Sequence, residues 1–217
     1  MGVTVALRNE VMGQRWGTSG KVHYEGVLFQ QIRRGRQIPE NSPNRTMSIN
    51  VKQVQGRRKL HFECYDDIRR DAEMLHRSGP LTCLGNWTAG QNYEHLAKSI
   101  DVCIDGVDYT LPLWMQWIAK PLKSFFLNRP FKPGFNLPVK LEPAFYPREI
   151  ISDEDGFQLL MKALDRIKSE PRRAPSPAFG VMPESDWIKL HCRHSELHLS
   201  FLVPTKFTSC DHRSPEY

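Results

Sequence analysis

Beyond residue 60, apolar residues recur at helical spacing in several stretches, and none alternates convincingly as a strand would. Ile68, Ala72 and Leu75 share one face of a predicted helix from Tyr65 to Arg77, closed by Gly79-Pro80. A second helix opens at Thr88, whose hydroxyl and Gln91 have the spacing of a capping box. Tyr93, Leu96, Ala97, Ile100 and Ile104 then form its stripe until Gly106. Leu113, Trp114, Trp117, Ile118, Leu122, Phe125 and Phe126 predict a helix interrupted at Pro121, since an internal proline removes a bond donor and clashes with the preceding turn. Seven prolines fall between Pro112 and Pro147, so the remainder reads as a long connection, ordered because its many aromatic rings must be buried somewhere. The next helix starts at Ser152, with Asp155 in the box position and Phe157, Leu160, Met161, Leu164 and Ile167 as its stripe. After a proline-rich turn from Pro171 to Pro177, the last helix runs from Glu184 to Val203 and stops at Pro204. The expectation is an all-α chain, a four-helix bundle with a Pro- and aromatic-rich connection.

The ends lack such a pattern. Residues 1–46 show no sustained periodicity apart from Val27-Leu28-Phe29, which predicts a disordered leader up to residue 56 or a true start at Met47. The bundle is expected over 57–204 and a frayed tail over 205–217. Charge divides the same way. Residues 1–59 hold 11 Lys and Arg against 3 Asp and Glu, whereas residues 60–217 hold 19 against 21, so the net +6 belongs to the leader. Nucleic-acid binding through Arg33, Arg34, Arg36, Arg57, Arg58 and Lys59 is disfavoured, because the body is slightly acidic and these side chains lack interleaved aromatics. A hydrophobic fraction of 40% with no long apolar run excludes a membrane-spanning helix. Five cysteines without a CxxC pair suit reduced thiols and a cytoplasmic protein.

The last helix carries the candidate chemistry. At about 100° per residue, Trp187, Leu190, His191, His194, Leu197, His198 and Phe201 fall within an arc of roughly 120°. Three imidazoles on a core-facing surface need partners for their ring nitrogens. His194 and His198, one turn apart, have the spacing at which two ring nitrogens reach one metal ion. His95 is the candidate third ligand, from the second helix. On an ideal wheel it lies roughly 150° from the centre of that helix's apolar stripe, so exposure and burial in a second seam are both open. His191 and Gln91 are candidates for supporting the ligands from behind, and His191 also for a fourth ligand or, the favoured alternative, for packing or hydrogen bonding. His23, His61, His76 and His212 carry no assigned role.

Gly85-Asn86-Trp87-Thr88-Ala89-Gly90-Gln91, then His95-Leu96-Ala97, and later His194-Ser195-Glu196-Leu197-His198, resemble the DinB-like (YfiT-related) superfamily. The nearest likeness is to its domain of unknown function 1569 family, through Arg58 to Phe62, Pro175 to Gly180 and His198 to Leu202. The resemblance covers about residues 57 to 204. It implies a four-helix bundle with a central metal held by one histidine of the second helix and two of the last, which map onto His95, His194 and His198. Some superfamily relatives transfer low-molecular-weight thiols to electrophiles. Here Leu197 and Leu199-Ser200-Phe201 stand where many relatives have a second histidine and Arg-Gly-Gln, a departure that leaves the triad intact and bears on the thiol-transfer activity.

Three neutral imidazoles leave a divalent ion with open positions, the arrangement of catalytic sites, and they suit zinc, nickel or iron. The function expected is therefore metal-dependent thiol transfer or hydrolysis acting on a small molecule, the catalytic residues being unassigned. The alternative is a non-enzymatic ligand-binding or structural bundle. A homodimer is compatible with either.

Overall fold

A computed structural model describes residues 48–205 apart from 110, 111 and 136, and gives no side-chain placement for 113–120. The chain divides into two units, 1–46 and 47–217. The readings of residues 1–47 as leader and of 206–217 as tail lie outside the described residues. Of the stretch read as leader, 48–56 are described, and Ile49 there exchanges two hydrogen bonds, of 2.7 and 3.0 Å, with the Asn86 side chain.

The described residues are helix-rich. In order they form α1 (Tyr65–Arg77), β1 (Leu81–Cys83), α2 (Ala89–Asp105), α3 (Leu113–Asn128), α4 (Glu142–Phe145), α5 (Asp153–Ser169), α6 (Glu184–Leu199) and β2 (Leu202–Pro204). The start of α2 follows the predicted chemistry. Thr88 Oγ1 accepts from the Gln91 backbone N–H at 3.2 Å, and Gln91 Oε1 accepts from that of Thr88 at 3.0 Å, which satisfies two of the donors a helix start leaves bare. Gly106, at φ 79°, ends the helix in the left-handed region that glycine enters without penalty.

The most extensive helix–helix seam joins α2 to α5. It is close because two glycines face each other. A Cβ on Gly156 would lie 2.3 Å from the Gly90 carbonyl oxygen, and one on Gly90 would lie 2.4 Å from that of Ser152. The Gly90 N–H also donates to Asp153 Oδ1 at 2.7 Å. Around this contact Tyr93, Leu96, Ile100, Leu160, Leu164 and Ile167 are buried with Ile68 and Leu75 of α1 in one core. α6 packs against α1, α2 and α3, so its histidine-bearing turns lie within reach of α2.

Three features differ from the sequence reading. First, α3 runs through Pro121 without interruption. Pro121 is exposed, where the carbonyl that loses its partner can bond water instead. Second, the connection after α3 contains the short helix α4, whose one turn is too brief to leave a periodic signal. Third, α6 ends at Leu199 rather than Val203, and Leu202–Pro204 pairs antiparallel with Leu81–Cys83. Arginine side chains terminate it. Arg57 donates to the Leu197 carbonyl at 3.3 Å, and Arg58 to those of Leu199 and Leu202 at 3.0 and 2.7 Å. Arg58 also forms a bidentate pair with Asp71, both bonds 2.7 Å. These two arginines, considered above for nucleic acid, are thus engaged at the end of α6. No helix among the described residues is long and apolar enough to cross a membrane.

Candidate metal centre

His95 comes from the middle of α2, and His194 and His198 from consecutive turns of α6. His95 is 8% exposed, so the second seam, and not the solvent, receives it. The seam forms because α4 covers that arc of α2. The three rings converge in pairs, with centroids 4.9 Å apart for His95 and His194, 4.5 Å for His95 and His198, and 4.7 Å for His194 and His198. One ligating nitrogen from each lies within 4.8 Å of the others. Two nitrogens bound to one tetrahedral ion at about 2.1 Å each would be roughly 3.4 Å apart. His95 Nε2 and His194 Nε2 stand at 3.0 Å.

The outer partners fix which nitrogens carry protons. His95 Nδ1 is 2.7 Å from the Phe145 carbonyl, which can only accept, so Nδ1–H donates and Nε2 keeps its lone pair. His198 Nδ1 is 3.2 Å from Asn92 Oδ1. The Asn92 amide is itself oriented, because its nitrogen donates to the carbonyls of Thr88 at 2.9 Å and Trp87 at 3.4 Å. His198 Nε2 is then also a bare lone pair. Residues that bond the far nitrogen of a ligating histidine set its tautomer and raise its basicity. Burial pushes the pKa of His95 down to about 4. It holds His194 and His198 well below their ordinary value, with the neighbouring histidines adding to the effect. All three rings are therefore neutral at pH 7, as a cation site requires.

The two lone pairs on His95 Nε2 and His198 Nε2, with His194 Nε2 closing on the first, make a donor set that fits a divalent cation. Aromatic rings flank it. Trp87 stacks on His198 at 5.5 Å and tilts over His95 at 4.9 Å, and Phe131 lies 6.1 Å from His194. His194 and His198 are half-buried, so solvent reaches this side.

The other predicted site residues are employed elsewhere. Gln91 caps α2 and donates to the carbonyls of Arg148 and Glu149, both at 3.1 Å. His191 Nδ1 bonds the Tyr65 hydroxyl at 3.0 Å, and its ring stacks on Trp187 at 5.5 Å. Asn92 and the Phe145 carbonyl occupy the supporting positions instead. Asn92 was open to detection, since Asn92, His95 and Ser99 form a polar stripe at i, i+3 and i+7 on α2. The carbonyl of a one-turn helix some fifty residues away leaves no such trace.

Neither Glu94, which adjoins His95 in sequence, nor Glu196, midway between His194 and His198, is engaged with the centre. Glu94 accepts from the Arg148 backbone and from its Nε, both at 2.8 Å. Glu196 accepts from the Phe62 N–H at 2.6 Å and pairs with Arg193 at 2.8 Å.

Residues 54–205 match a protein family described as a protein of unknown function (DUF1569). No curated protein and no solved structure matches the chain.

Proposed function

The chain belongs to the DUF1569 family, and from that premise we propose that it is a divalent-metal protein of DinB-like type, its ion held by His95, His194 and His198. In this reading α1, α2, α5 and α6 are the four helices of the bundle, and the histidines sit where α2 meets α6. The carrying observation is the pair of outer hydrogen bonds. Phe145 O and Asn92 Oδ1 each hold an Nδ1–H, which leaves one Nε2 lone pair on His95, 3.0 Å from His194 Nε2, and another on His198. An apolar core would gain nothing from three facing imidazoles, each of which costs free energy when left unpaired. An ion such as zinc, nickel or iron supplies Lewis acidity there, which acidifies water or a thiol and polarises a carbonyl.

The class of reaction proposed is transfer or hydrolysis on a small molecule. With Glu94 and Glu196 both engaged by arginines, neither supplies a general base. That favours a ligand that brings its own acidic nucleophile over base-assisted hydrolysis. The chain's own residues then bind and orient: Trp87 and Phe131 wall the centre, and Asn92 holds His198.

Elemental analysis of untagged protein tests the reading. We expect about one divalent ion per chain, lost in His194→Ala and His95→Ala and retained in His61→Ala. Metal-free wild type that neither takes up added zinc, nickel or iron nor changes its melting temperature in their presence ends it.

A further inference from the structure

Positive charge and apolar exposure coincide in one stretch of the chain. Residues 109–141 hold five Lys and Arg and no Asp or Glu, whereas the rest of 60–217 holds 14 against 21. The same stretch carries large apolar side chains in solvent. Leu122, Phe125 and Phe126 of α3 are 47, 51 and 36% exposed, and Phe135 and Val139 of the following connection are both 77% exposed. Single exposed apolar residues are ordinary, but a group of them rimmed by polar residues marks an interaction surface.

On α3 these residues share a face. At 100° per residue Leu122, Phe125 and Phe126 fall within an arc of about 100°, while Leu127, about 150° from its centre, is buried. The helix thus has its buried side already, and this arc is a second apolar side turned outward. Phe131, its ring 6.2 Å from that of Phe126, carries the surface into the connection.

Cations stand beside each part of it. The Arg129 guanidinium lies 4.9 Å over the Phe125 ring. Lys132 and Lys140 are exposed and follow Phe131 and Val139 directly, and the Lys52 side chain lies against Gly134, next to Phe135. Among the described residues none of these four pairs with a carboxylate, whereas Lys123, toward the buried side of α3, pairs with Asp186 at 2.7 Å. An apolar face edged by unpaired cations suits a lipid surface. There the apolar side chains enter the boundary between headgroups and acyl chains, and long basic side chains reach back to the phosphates. A protein partner must supply a matching shape as well as acidic groups, and a bilayer needs no shape.

We infer that α3 and the connection behind it form a docking surface for an anionic lipid bilayer, on which the chain lies without crossing it. No helix among the described residues is long and apolar enough to span. The inference rests on this surface alone and does not require an ion at the triad.

Co-sedimentation of the full chain with vesicles tests it, one set of phosphatidylcholine alone and one of an equal mixture with phosphatidylglycerol. Each basic residue at an anionic surface strengthens binding roughly fivefold, and a buried phenyl ring about tenfold. We expect salt-sensitive binding to the mixed vesicles and binding at least ~tenfold weaker to the neutral ones. Lys132→Gln with Lys140→Gln should weaken binding to the mixed vesicles by roughly 25-fold, and Phe125→Ala with Phe135→Ala by about tenfold or more. All four side chains are exposed, and unchanged melting temperatures check that both variants fold. The basic residues 1–46 are present in every sample, so a loss reports on this surface and not on them. No binding to the mixed vesicles, equal binding to both kinds, or binding that either double variant retains overturns the inference. So does lipid-free dimerisation that the phenylalanine variant abolishes, which assigns the face to a second copy. Tighter binding to a single-stranded oligonucleotide, lost in the same variants, assigns it to nucleic acid and overturns the inference equally.

Discussion

Helix α2 is buried on two sides, and the sides are built from opposite materials. Toward α5 it presents Tyr93, Leu96, Ala97 and Ile100 around a backbone contact between Gly90 and Gly156. Toward α4 and α6 it presents Asn92, His95 and Ser99, also buried, and Glu94 beneath Arg148. Apolar burial stabilises in proportion to area and needs no specific partner. Each group of the polar seam demands a partner at hydrogen-bond distance, or it costs free energy. The first seam therefore holds the fold, and the second is the one that a change of ligand or protonation can alter.

The sharpest way to test that division is to open the glycine contact. In Gly156→Ala the new methyl group meets Gly90 backbone at 2.3 Å and 2.6 Å, which no side-chain rotation relieves. Overpacking of this kind costs about 1–3 kcal/mol and more where the obstacle is backbone. We expect loss of about 3 kcal/mol or more in denaturant unfolding, or no folded protein at all. A change within 0.5 kcal/mol would mean that α2 and α5 separate easily, and the comparison would fail.

Acid should act on α6, on the polar side. Burial pushes the His191 pKa down to about 4, between the Tyr65 hydroxyl and Trp187. The unfolded value is near 6.5, so the unfolded chain binds the extra proton. Stability is complete above pH 6.5 and falls as pH drops towards 4, with a limiting slope of about 1.4 kcal/mol per pH unit for one such group. In the metal-free protein His95, His194 and His198 add to that slope, so His191→Gln should lessen it by one group's share and not remove it. An unchanged pH profile would assign the acid sensitivity elsewhere.

The two seams also differ in how far they can be read without coordinates. The stripe facing α5 follows the 3.6-residue period, and α1, α2 and α5 begin and end where their caps and breakers indicate, as with Thr88, Gln91 and Gly106 on α2. His194 and His198 announce themselves by lying one turn apart on an apolar face. His95 did not, because a helical wheel ranks positions by distance from the apolar stripe, whereas α4 decides that arc of α2. The helix through Pro121 and the strand at Leu202–Pro204 escape for a related reason. Neither is set by local periodicity: the helix passes its proline at an exposed position, and the strand depends on pairing with Leu81–Cys83 and on arginine donors at the end of α6. The glycine contact is invisible too, since two glycines in separate helices predict flexibility until they are seen to face each other.

The smallest effect on stability should come from the residue that joins the seams to the chemistry. Asn92 receives His198 Nδ1 at 3.2 Å while its amide donates to two carbonyls at the start of α2. Removing the side chain loses bonds worth about 1 kcal/mol each, partly replaced by water near the half-buried His198. Asn92→Ala should thus unfold within roughly 1–2 kcal/mol of wild type. Its effect on metal should be larger in proportion. With no acceptor at Oδ1, His198 is free to move its proton to Nε2 and to turn its ring, so the lone pair no longer faces His95 and His194. Loss of such an outer partner lowers metal affinity about 10- to 100-fold. Competition with a chromophoric chelator measures this, with Asn92→Asp as the control that keeps an acceptor and should retain most of the affinity. Equal affinities for wild type and Asn92→Ala would show that the imidazole is positioned by Trp87 stacking alone, and the polar seam would lose its claim to organise the centre.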